Sequence, residues 1–292
     1  MSTIAFIGLG NMGRPMIGYL LKAGHQLKIY ARRPEVYQNE AKHLVDAGAI
    51  PCASPAEAAD GADFIITNVM STQDVAEVLH AGKNPVIATA KPGAICIDHS
   101  TIDPQGTKDI AAIMASKNIG YVDAPVSGGV KAATEGTLVM MLGGTDADVA
   151  KVKEIVKSYA KTITHIGTLG HGQVAKLCNQ IAQVINIQGV AESMRFAAAN
   201  GADLQKVFEA ISGGMAGSRM LDLMGPKMVH RDFKAGIEAR LHAKDFFLVK
   251  DAAKTANLDM PALQTVAQQL EKLMDAGWGY DDTSSLLKVL EA

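Results

Sequence analysis

The chain has 292 residues, which is enough for one large domain or two smaller ones. With a formal net charge of −2 and scattered basic residues, the chain has no strong positive potential to attract nucleic acid or an acidic membrane. No apolar run approaches the ~20 residues of a membrane span, and a strand-like run stands where a signal peptide would lie, so we expect a cytoplasmic protein. Cys52, Cys96 and Cys178 are widely spaced and fit neither a disulfide framework nor a zinc site. We expect buried thiols in a reducing compartment.

A glycine-rich turn lies close to the N-terminus. Gly8, Gly10 and Gly13 form the pattern GxGxxG, with Asn11 and Met12 inside it. Apolar periodicity predicts a strand before the turn, a helix after it and then a second strand, at residues 4–9, 16–21 and 26–30. Gly8 permits the tight turn, Gly10 lets the backbone approach a pyrophosphate, and Gly13 allows helix and strand to pack closely. The turn in this context predicts a dinucleotide site with its phosphates at the helix N-terminus.

The end of the second strand bears on the choice of cofactor. An acidic residue is expected there, ~20 residues beyond the turn, to bind the ribose hydroxyls. The segment reads Tyr30-Ala31-Arg32-Arg33 instead. A guanidinium can bind a 2′-phosphate through two hydrogen bonds, whereas a carboxylate would repel it. We therefore predict NADP(H) over NAD(H). The alternative is that both arginines are solvated loop charges, which leaves NAD(H) possible.

The first half continues as alternating strands and helices. Further strands are predicted at 64–69, 94–98, 120–123, 138–142 and 162–166, and helices at 35–47, 72–80, 104–116 and 146–158. This order predicts an α/β Rossmann domain with a doubly wound, mostly parallel sheet over residues 1–166. Ligands bind at the carboxyl ends of such strands. Three polar segments are expected there: Asn68-Val69-Met70, His99-Ser100-Thr101, and residues 123–129. From the residues alone, Ser127-Gly128-Gly129 is either an ordinary loop or a backbone site for a carboxylate.

The second half has a helical pattern. Residues 172–199 are nearly apolar and lack proline, which predicts a long interdomain helix at the start of an all-α domain over 167–292. Such a helix must be buried on most sides, either between the two domains or against another copy of the chain in an oligomer. Further helices are predicted at 203–213, 218–229, 244–257, 261–276 and 282–290. Lys244-Asp245 lies near the start of one of these, where such a pair is usually a solvated helix terminus.

The long helix carries a lysine in an unusual setting. Lys176 is followed by Asn179 and Gln180 at spacings of three and four, so one helix face can hold all three. A buried lysine costs free energy unless something pairs or uses it. The alternative is a side chain that extends to solvent near the helix end.

Four segments in order resemble the motifs of the β-hydroxyacid dehydrogenase family. They are FIGLGNMGRPM at 6–16, DAPVSGG at 123–129, GHGQVAKLCNQ at 170–180 and LHAKDF at 241–246. The resemblance spans essentially the whole chain. It implies an N-terminal Rossmann domain, a long interdomain helix, an all-α C-terminal domain, a homodimer or homotetramer, and no metal. The chain departs from the usual pattern after the glycine turn, where it has Ile17 and Tyr19.

The resemblance also implies roles for individual residues. Lys176 takes the position of the catalytic lysine, and Asn179 that of an asparagine that orients the substrate. The loop Ser127, Gly128 and Gly129 matches the segment that holds the substrate carboxylate. Thr101 matches a hydroxyl residue close to nicotinamide and substrate.

The remaining expected cofactor contacts come from two other segments. Asn68, Val69 and Met70 follow a strand of the sheet, at the edge where the cofactor is expected. Lys244 and Asp245 match a pair that closes over cofactor and active site.

Within the family, residues 213–222, 232–245 and 123–129 are most similar to members that reduce tartronate semialdehyde to D-glycerate. Lys176 would then stabilise the charge that develops on the carbonyl oxygen and donate the proton. The alternatives with the same chemistry are oxidation of 3-hydroxyisobutyrate and reduction of succinic semialdehyde or glyoxylate. A non-catalytic NADP-binding sensor is an alternative from another class, although a degenerate member should have lost Lys176 or the Ser127 loop.

Overall fold

A computed structural model describes residues 1–292, which fold into two compact units, Met1–Lys176 and Leu177–Ala292. The boundary lies inside the long helix rather than before it, where the sequence pattern had placed the end of the first domain. No helix is both long enough and apolar enough to cross a membrane.

The first unit is built on one nine-stranded sheet. Its strands are β1 Thr3–Ile7, β2 Gln26–Tyr30, β3 Ile50–Pro51, β4 Phe64–Thr67, β5 Ile95–Asp98, β6 Gly120–Asp123, β7 Val126–Ser127, β8 Leu138–Gly143 and β9 Ala160–Gly167. The order is β3-β2-β1-β4-β5-β6-β8-β7, with β9 paired to β8. Strands β1 to β6 pair in parallel, whereas β8 is antiparallel to β6 and β7. The carboxyl ends of these six parallel strands therefore lie along one edge.

Helices cover this sheet. They are α1 Gly13–Lys22, α2 Lys42–Asp46, α3 Pro55–Ala59, α4 Thr72–Ala76, α5 Pro104–Ala115, α6 Gly129–Glu135 and α7 Asp146–Val156; α8 His171–Ala199 begins at the end of this unit. Alternate residues of β1 belong to separate buried clusters, with Ile4 and Phe6 in one and Ala5 and Ile7 in the other. Burial of both faces explains why this strand has a continuous apolar sequence. The α/β expectation is confirmed.

The sequence pattern missed several short elements of the first unit. Strands β3 and β7 are two residues each, too short for a period of two to be visible. The predicted helix at 35–47 is a 3₁₀ turn, Pro34–Tyr37, followed by α2. Ser127-Gly128-Gly129 is not an ordinary loop, because α6 begins at Gly129 with Gly128 as its N-cap.

The second unit is helical, as expected. Beyond α8 it contains α9 Leu204–Ser212, α10 Arg219–His230, α11 Ala239–Thr255, α12 Pro261–Asp275 and α13 Leu286–Val289. Its core includes Val184 and Met194 of α8, Phe246 of α11 and Leu270 of α12. Side-chain caps by Asp203 and Ser218 begin α9 and α10.

Two expectations, one about the start of α11 and one about the cysteines, were wrong. Because α11 begins at Ala239, Lys244 and Asp245 lie in its second turn rather than at its start. Cys178 is exposed, unlike the buried Cys52 and Cys96. The helix α8 has apolar residues on all sides, so its composition could not indicate which side the rest of the chain covers. Phe196 on the same helix is 72% exposed.

Candidate active site

The glycine turn joins β1 to α1, and each glycine has a different environment. Gly8 has φ +106°, and a Cβ there would overlap the carbonyl oxygen of Asn68. A Cβ on Gly13 would overlap the carbonyl oxygen of Gly8, which brings the helix start tightly against the turn. Gly10 faces open space, with nothing within 4 Å of a Cβ placed there. The turn is therefore close-packed at its ends and leaves its middle open for a ligand.

The start of α1 suits an anion. Its N-cap, Met12, makes no side-chain hydrogen bond to the helix, so the first N–H groups are not capped by this residue. Such N–H groups and the helix dipole bind phosphate. Arg14 braces the turn, donating from its guanidinium to the Leu9 carbonyl at 3.0 Å and to Asn11 Oδ1 at 2.8 Å. Sequence reasoning had assigned Arg14 no role.

The two arginines after β2 are exposed and weakly paired. Arg32 lies 3.4 Å from Asp74, and Arg33 lies 4.0 Å from Glu40. The backbone before them is held by Tyr37, whose hydroxyl accepts the Ala31 N–H at 2.8 Å. Ion pairs this long at the surface contribute little stability, which leaves both guanidiniums available to a stronger anion.

The ends of β4 and β5 are tied to each other. Ser100 Oγ accepts the N–H of Val69 at 2.9 Å, so the backbone after β4 is fixed to the backbone after β5. Asn68 N–H donates to the Ile7 carbonyl at 2.9 Å, which continues the pairing of β4 with β1. Met70 is exposed and Thr101 is half-buried. The predicted contact segments thus meet along one edge of the sheet.

The Ser127 loop leads directly into α6. Gly128 and Gly129 have φ of +124° and +64°, conformations that favour glycine. The far end of α6 is held by α1, because the Tyr19 hydroxyl donates to the Thr134 carbonyl at 2.9 Å. Tyr19, where the chain departs from the family pattern, therefore links the helix of the glycine turn to the helix of the Ser127 loop.

A buried carboxylate anchors the lysine helix. Asp123, the last residue of β6, accepts the N–H of Gly170 through Oδ1 and that of Gln173 through Oδ2, both at 2.8 Å. Burial raises the pKa of Asp123 to about 6, and the two N–H donors act in the opposite direction. A Cβ on Gly172 would overlap the Met141 carbonyl oxygen, so this close approach needs glycine. Lys176 follows on the same helix, and only 8% of it is exposed.

Asp98 and His99 form a buried polar network below this edge. Asp98 accepts from Thr67 at 2.8 Å and from the Tyr121 hydroxyl at 3.0 Å, and burial raises its pKa. His99 Nδ1 lies 2.7 Å from the Ala124 carbonyl and its Nε2 lies 3.0 Å from the Tyr159 hydroxyl. Because a carbonyl only accepts, Nδ1 carries the proton. Burial lowers the pKa of His99 to about 4, so the ring is neutral at pH 7.

The second unit contains a chain of four polar side chains. Asn179 Nδ2 donates to Gln180 Oε1 at 2.9 Å, and Gln180 Nε2 donates to Asp245 Oδ2 at 2.7 Å. Asp245 Oδ1 lies 2.8 Å from the Lys244 ammonium. Gln180 and Asp245 are both buried. The predicted residues Asn179, Lys244 and Asp245 are thus joined through one glutamine.

Sequence reasoning missed three residues that hold these elements. Asp123 and Gln173 stood inside quoted motifs but were given no role, and Gln180 was noted only for its spacing. Polarity at a strand end, followed by glycines near a helix start, was the available signal for Asp123. No local signal pairs Gln173 or Gln180 with its partners.

Comparisons with known proteins find relatives along nearly the whole chain. Residues 3–167 match the family model for the NAD binding domain of 6-phosphogluconate dehydrogenase, and residues 170–290 match that for the NAD-binding of NADP-dependent 3-hydroxyisobutyrate dehydrogenase. The chain is 37% identical to the 2-hydroxy-3-oxopropionate reductase of Escherichia coli over 99% of this chain and 97% of that protein. It is 34% identical to the mitochondrial 3-hydroxyisobutyrate dehydrogenase of Mus musculus, covering 98% and 86% respectively. A solved 3-hydroxyisobutyrate dehydrogenase of Mycobacterium tuberculosis with L-serine matches all of both chains at 30% identity and TM-score 0.90.

Proposed function

The chain belongs to the 3-hydroxyisobutyrate dehydrogenase-like family of NAD(P)-dependent β-hydroxyacid dehydrogenases, and from that premise we propose that it reduces tartronate semialdehyde to D-glycerate with NADPH. The observation that carries the reaction type is the buried Lys176 on a helix anchored by Asp123 at the cofactor edge of the sheet. The choice of substrate is supported by the 37% identity to a reductase of that name.

The cofactor site fits a dinucleotide. The open face at Gly10 and the start of α1, which has no side-chain cap, can take the phosphates, and Arg32 with Arg33 would bind a 2′-phosphate. When bound, the nicotinamide supplies the hydride. An exposed arginine pair in place of the usual acidic residue supports NADPH as the preferred cofactor.

Side chains of the protein then stabilise the charge on the carbonyl oxygen and supply the proton. Lys176, as an ammonium, stabilises the negative charge that develops on the carbonyl oxygen and donates the proton that completes the hydroxyl group. Ser127 and the N–H groups of Gly128 and Gly129 hold the substrate carboxylate. Asn179 would orient the substrate, and Lys244 and Asp245 are the remaining proposed cofactor contacts. In the oxidative direction, neutral Lys176 accepts the proton.

A substrate panel tests this assignment. Steady-state kcat/KM would be measured with NADPH and NADH for tartronate semialdehyde, methylmalonate semialdehyde, succinic semialdehyde and glyoxylate. We expect the highest kcat/KM for tartronate semialdehyde with NADPH, and D-glycerate as the product by chiral chromatography. A clearly higher kcat/KM for methylmalonate semialdehyde would assign the chain to 3-hydroxyisobutyrate instead. NADPH binding by calorimetry without turnover of any substrate would favour a sensor.

Lys176→Ala separates chemistry from binding. Loss of the proton donor should lower kcat by ~100- to 10,000-fold, the usual contribution of general acid–base catalysis. The NADPH Kd should change little, because the phosphate contacts lie on other elements. A variant that keeps normal turnover would contradict the mechanism.

We also propose a homodimer or homotetramer. The exposed Phe196 on α8 supports this, since a second copy could cover it. Light scattering coupled to size exclusion would measure the mass, and a monomer at micromolar concentration would contradict it.

A further inference from the structure

Gln173 is a buried glutamine that lies one helical turn before Lys176 and has no part in the proposed proton transfer. It is the third residue of α8 and is fully buried. Its main-chain N–H donates to Asp123, which fixes its backbone to the end of β6. Its side chain points to a different element, the loop after β5.

The side chain of Gln173 forms two hydrogen bonds to that loop. Nε2 donates to the Ser100 carbonyl at 2.7 Å, and Oε1 accepts the Ile102 N–H at 3.2 Å. These two groups flank Thr101 on either side. A C=O at one residue and an N–H two residues later are the pair that a neighbouring parallel strand would bond. The carboxamide thus substitutes for a strand where the sheet has ended, and it satisfies two backbone groups.

Only one orientation of this carboxamide satisfies both partners. A flipped amide would place the oxygen against the Ser100 carbonyl and the NH₂ against the Ile102 N–H, so both bonds would be lost. The loop is also held from its other side, because Ser100 N–H donates to Asp98 Oδ1 at 3.0 Å. The backbone on both sides of Thr101 is therefore hydrogen-bonded to the helix that carries Lys176.

We infer that Gln173 is a positioning residue that holds the Thr101 loop in register with the lysine helix, so that Thr101 and Lys176 keep a fixed separation. It rests on the proposed function, since it assumes that these two residues serve one reaction. Gln173 acts through them and does not touch the substrate. Displacement by ~1 Å of a group that aligns a reaction can cost ~100-fold in rate.

The test compares Gln173→Met, Gln173→Glu and a matched control, Gln188→Met. Gln188 lies on the same helix and is buried, but its only hydrogen bond here runs to Glu192 within the helix and its Oε1 has no partner. Gln173→Met removes both bonds at similar volume. Gln173→Glu keeps an acceptor for Ile102 and opposes a carboxylate to the Ser100 carbonyl, until protonation restores a donor.

We expect Gln173→Met to lower kcat by ~10- to 100-fold while KM for substrate and Kd for NADPH stay within ~2-fold. Relative to wild type and Gln188→Met at the same pH, Gln173→Glu should lose activity at high pH and regain it as the pH falls. Gln188→Met should retain wild-type kcat. If either Gln173 variant keeps kcat within ~2-fold of wild type across the pH range, the inference is overturned.

Hydrogen exchange separates this inference from the proposed function. The Ile102 amide should exchange faster in Gln173→Met than in wild type or Gln188→Met, whatever reaction the protein catalyses. Unchanged protection of the Ile102 amide would overturn the inference that Gln173 holds the Thr101 loop. Faster exchange in a protein that reduces no substrate of the panel would refute the proposed function. That result would support the structural role of Gln173 in holding the Thr101 loop and overturn its proposed role in positioning catalytic residues. If Gln173→Met fails to fold, Gln173→Leu replaces it in the exchange measurement, because it also removes both hydrogen bonds, and Gln173→Glu still provides the pH-dependent kinetic readout.

Discussion

The two units hold their polar residues in place in different ways. In Met1–Lys176, side chains such as Asp123 and Ser100 bind main-chain N–H groups of other elements, and glycines allow the close approach. In Leu177–Ala292, the polar residues are held by hydrogen bonds between side chains, and the bonded pair Gln180 and Asp245 is 65 residues apart in sequence. The glycines of the first unit leave a local sequence pattern, whereas hydrogen bonds between side chains of different helices leave none. The difference predicts where substitutions will act through folding and where through function.

The largest expected effect is at the close-packed end of the glycine turn. Gly8→Ala would strain a backbone with φ +106° and force a Cβ into the Asn68 carbonyl. We expect a loss of about 3 kcal/mol or more in the free energy of unfolding, through strain and overpacking. Urea unfolding measures this.

Gly10→Ala is the matched control for that change, because its Cβ would enter open space. It should leave the free energy of unfolding within about 0.5 kcal/mol of wild type and weaken NADPH binding measured by calorimetry. Equal destabilisation by both variants would contradict the division of roles within the turn.

The buried His99 should make the first unit sensitive to acid. Its pKa is about 4 in the fold against 6.5 when unfolded, so its contribution is complete above pH 6.5. Below that pH the unfolded chain takes up a proton that the folded chain does not. Stability is therefore lost as pH falls toward 4, by about 3 kcal/mol in total.

His99→Gln tests this contribution by urea unfolding between pH 7 and pH 5. The stability lost on acidification should shrink by about 2 kcal/mol relative to wild type. Because the pKa of Asp123 is raised to about 6, its protonation stabilises the fold as the pH falls. This contribution is the same in wild type and in His99→Gln, so it cancels when the two proteins are compared. His43→Gln, at an exposed position on α2, is the control. An unchanged slope in His99→Gln would show that its protonation does not limit stability.

The second unit should respond most to loss of its linking glutamine. Gln180→Met leaves the buried Asp245 without one donor and Asn179 without its acceptor, at an expected cost of about 2 kcal/mol. Gln188→Met on the same helix should be neutral or stabilising, since it replaces a buried oxygen that has no partner. Equal effects of the two substitutions would mean that the four-residue chain contributes nothing specific.

The smallest effect on stability is expected at the exposed arginines. Arg32→Ala should leave the free energy of unfolding within about 0.5 kcal/mol, because its pair with Asp74 is long and exposed. The kcat/KM for NADPH should fall by ~10-fold while that for NADH is unchanged, since only the former has a 2′-phosphate. Equal losses for both cofactors would contradict an interaction with that phosphate.

The sequence by itself determined the class of fold, the order of its main elements and the place of the glycine turn. These follow from local causes: apolar periods, helix caps and glycines at positions where a side chain would collide. Short elements such as β7 and the start of α6 were not predictable, because two or three residues carry no period.

Only the tertiary structure decided which polar residues meet. Asp123 and Gln173 are fifty residues apart, and Gln173 and Ser100 are seventy-three apart. Hydrogen bonds of this kind depend on where two distant segments are brought by packing, and no residue pattern within either segment encodes that distance. Lys176 was visible as a buried lysine on a long helix, but the groups that fix its helix to the sheet became visible only in the fold.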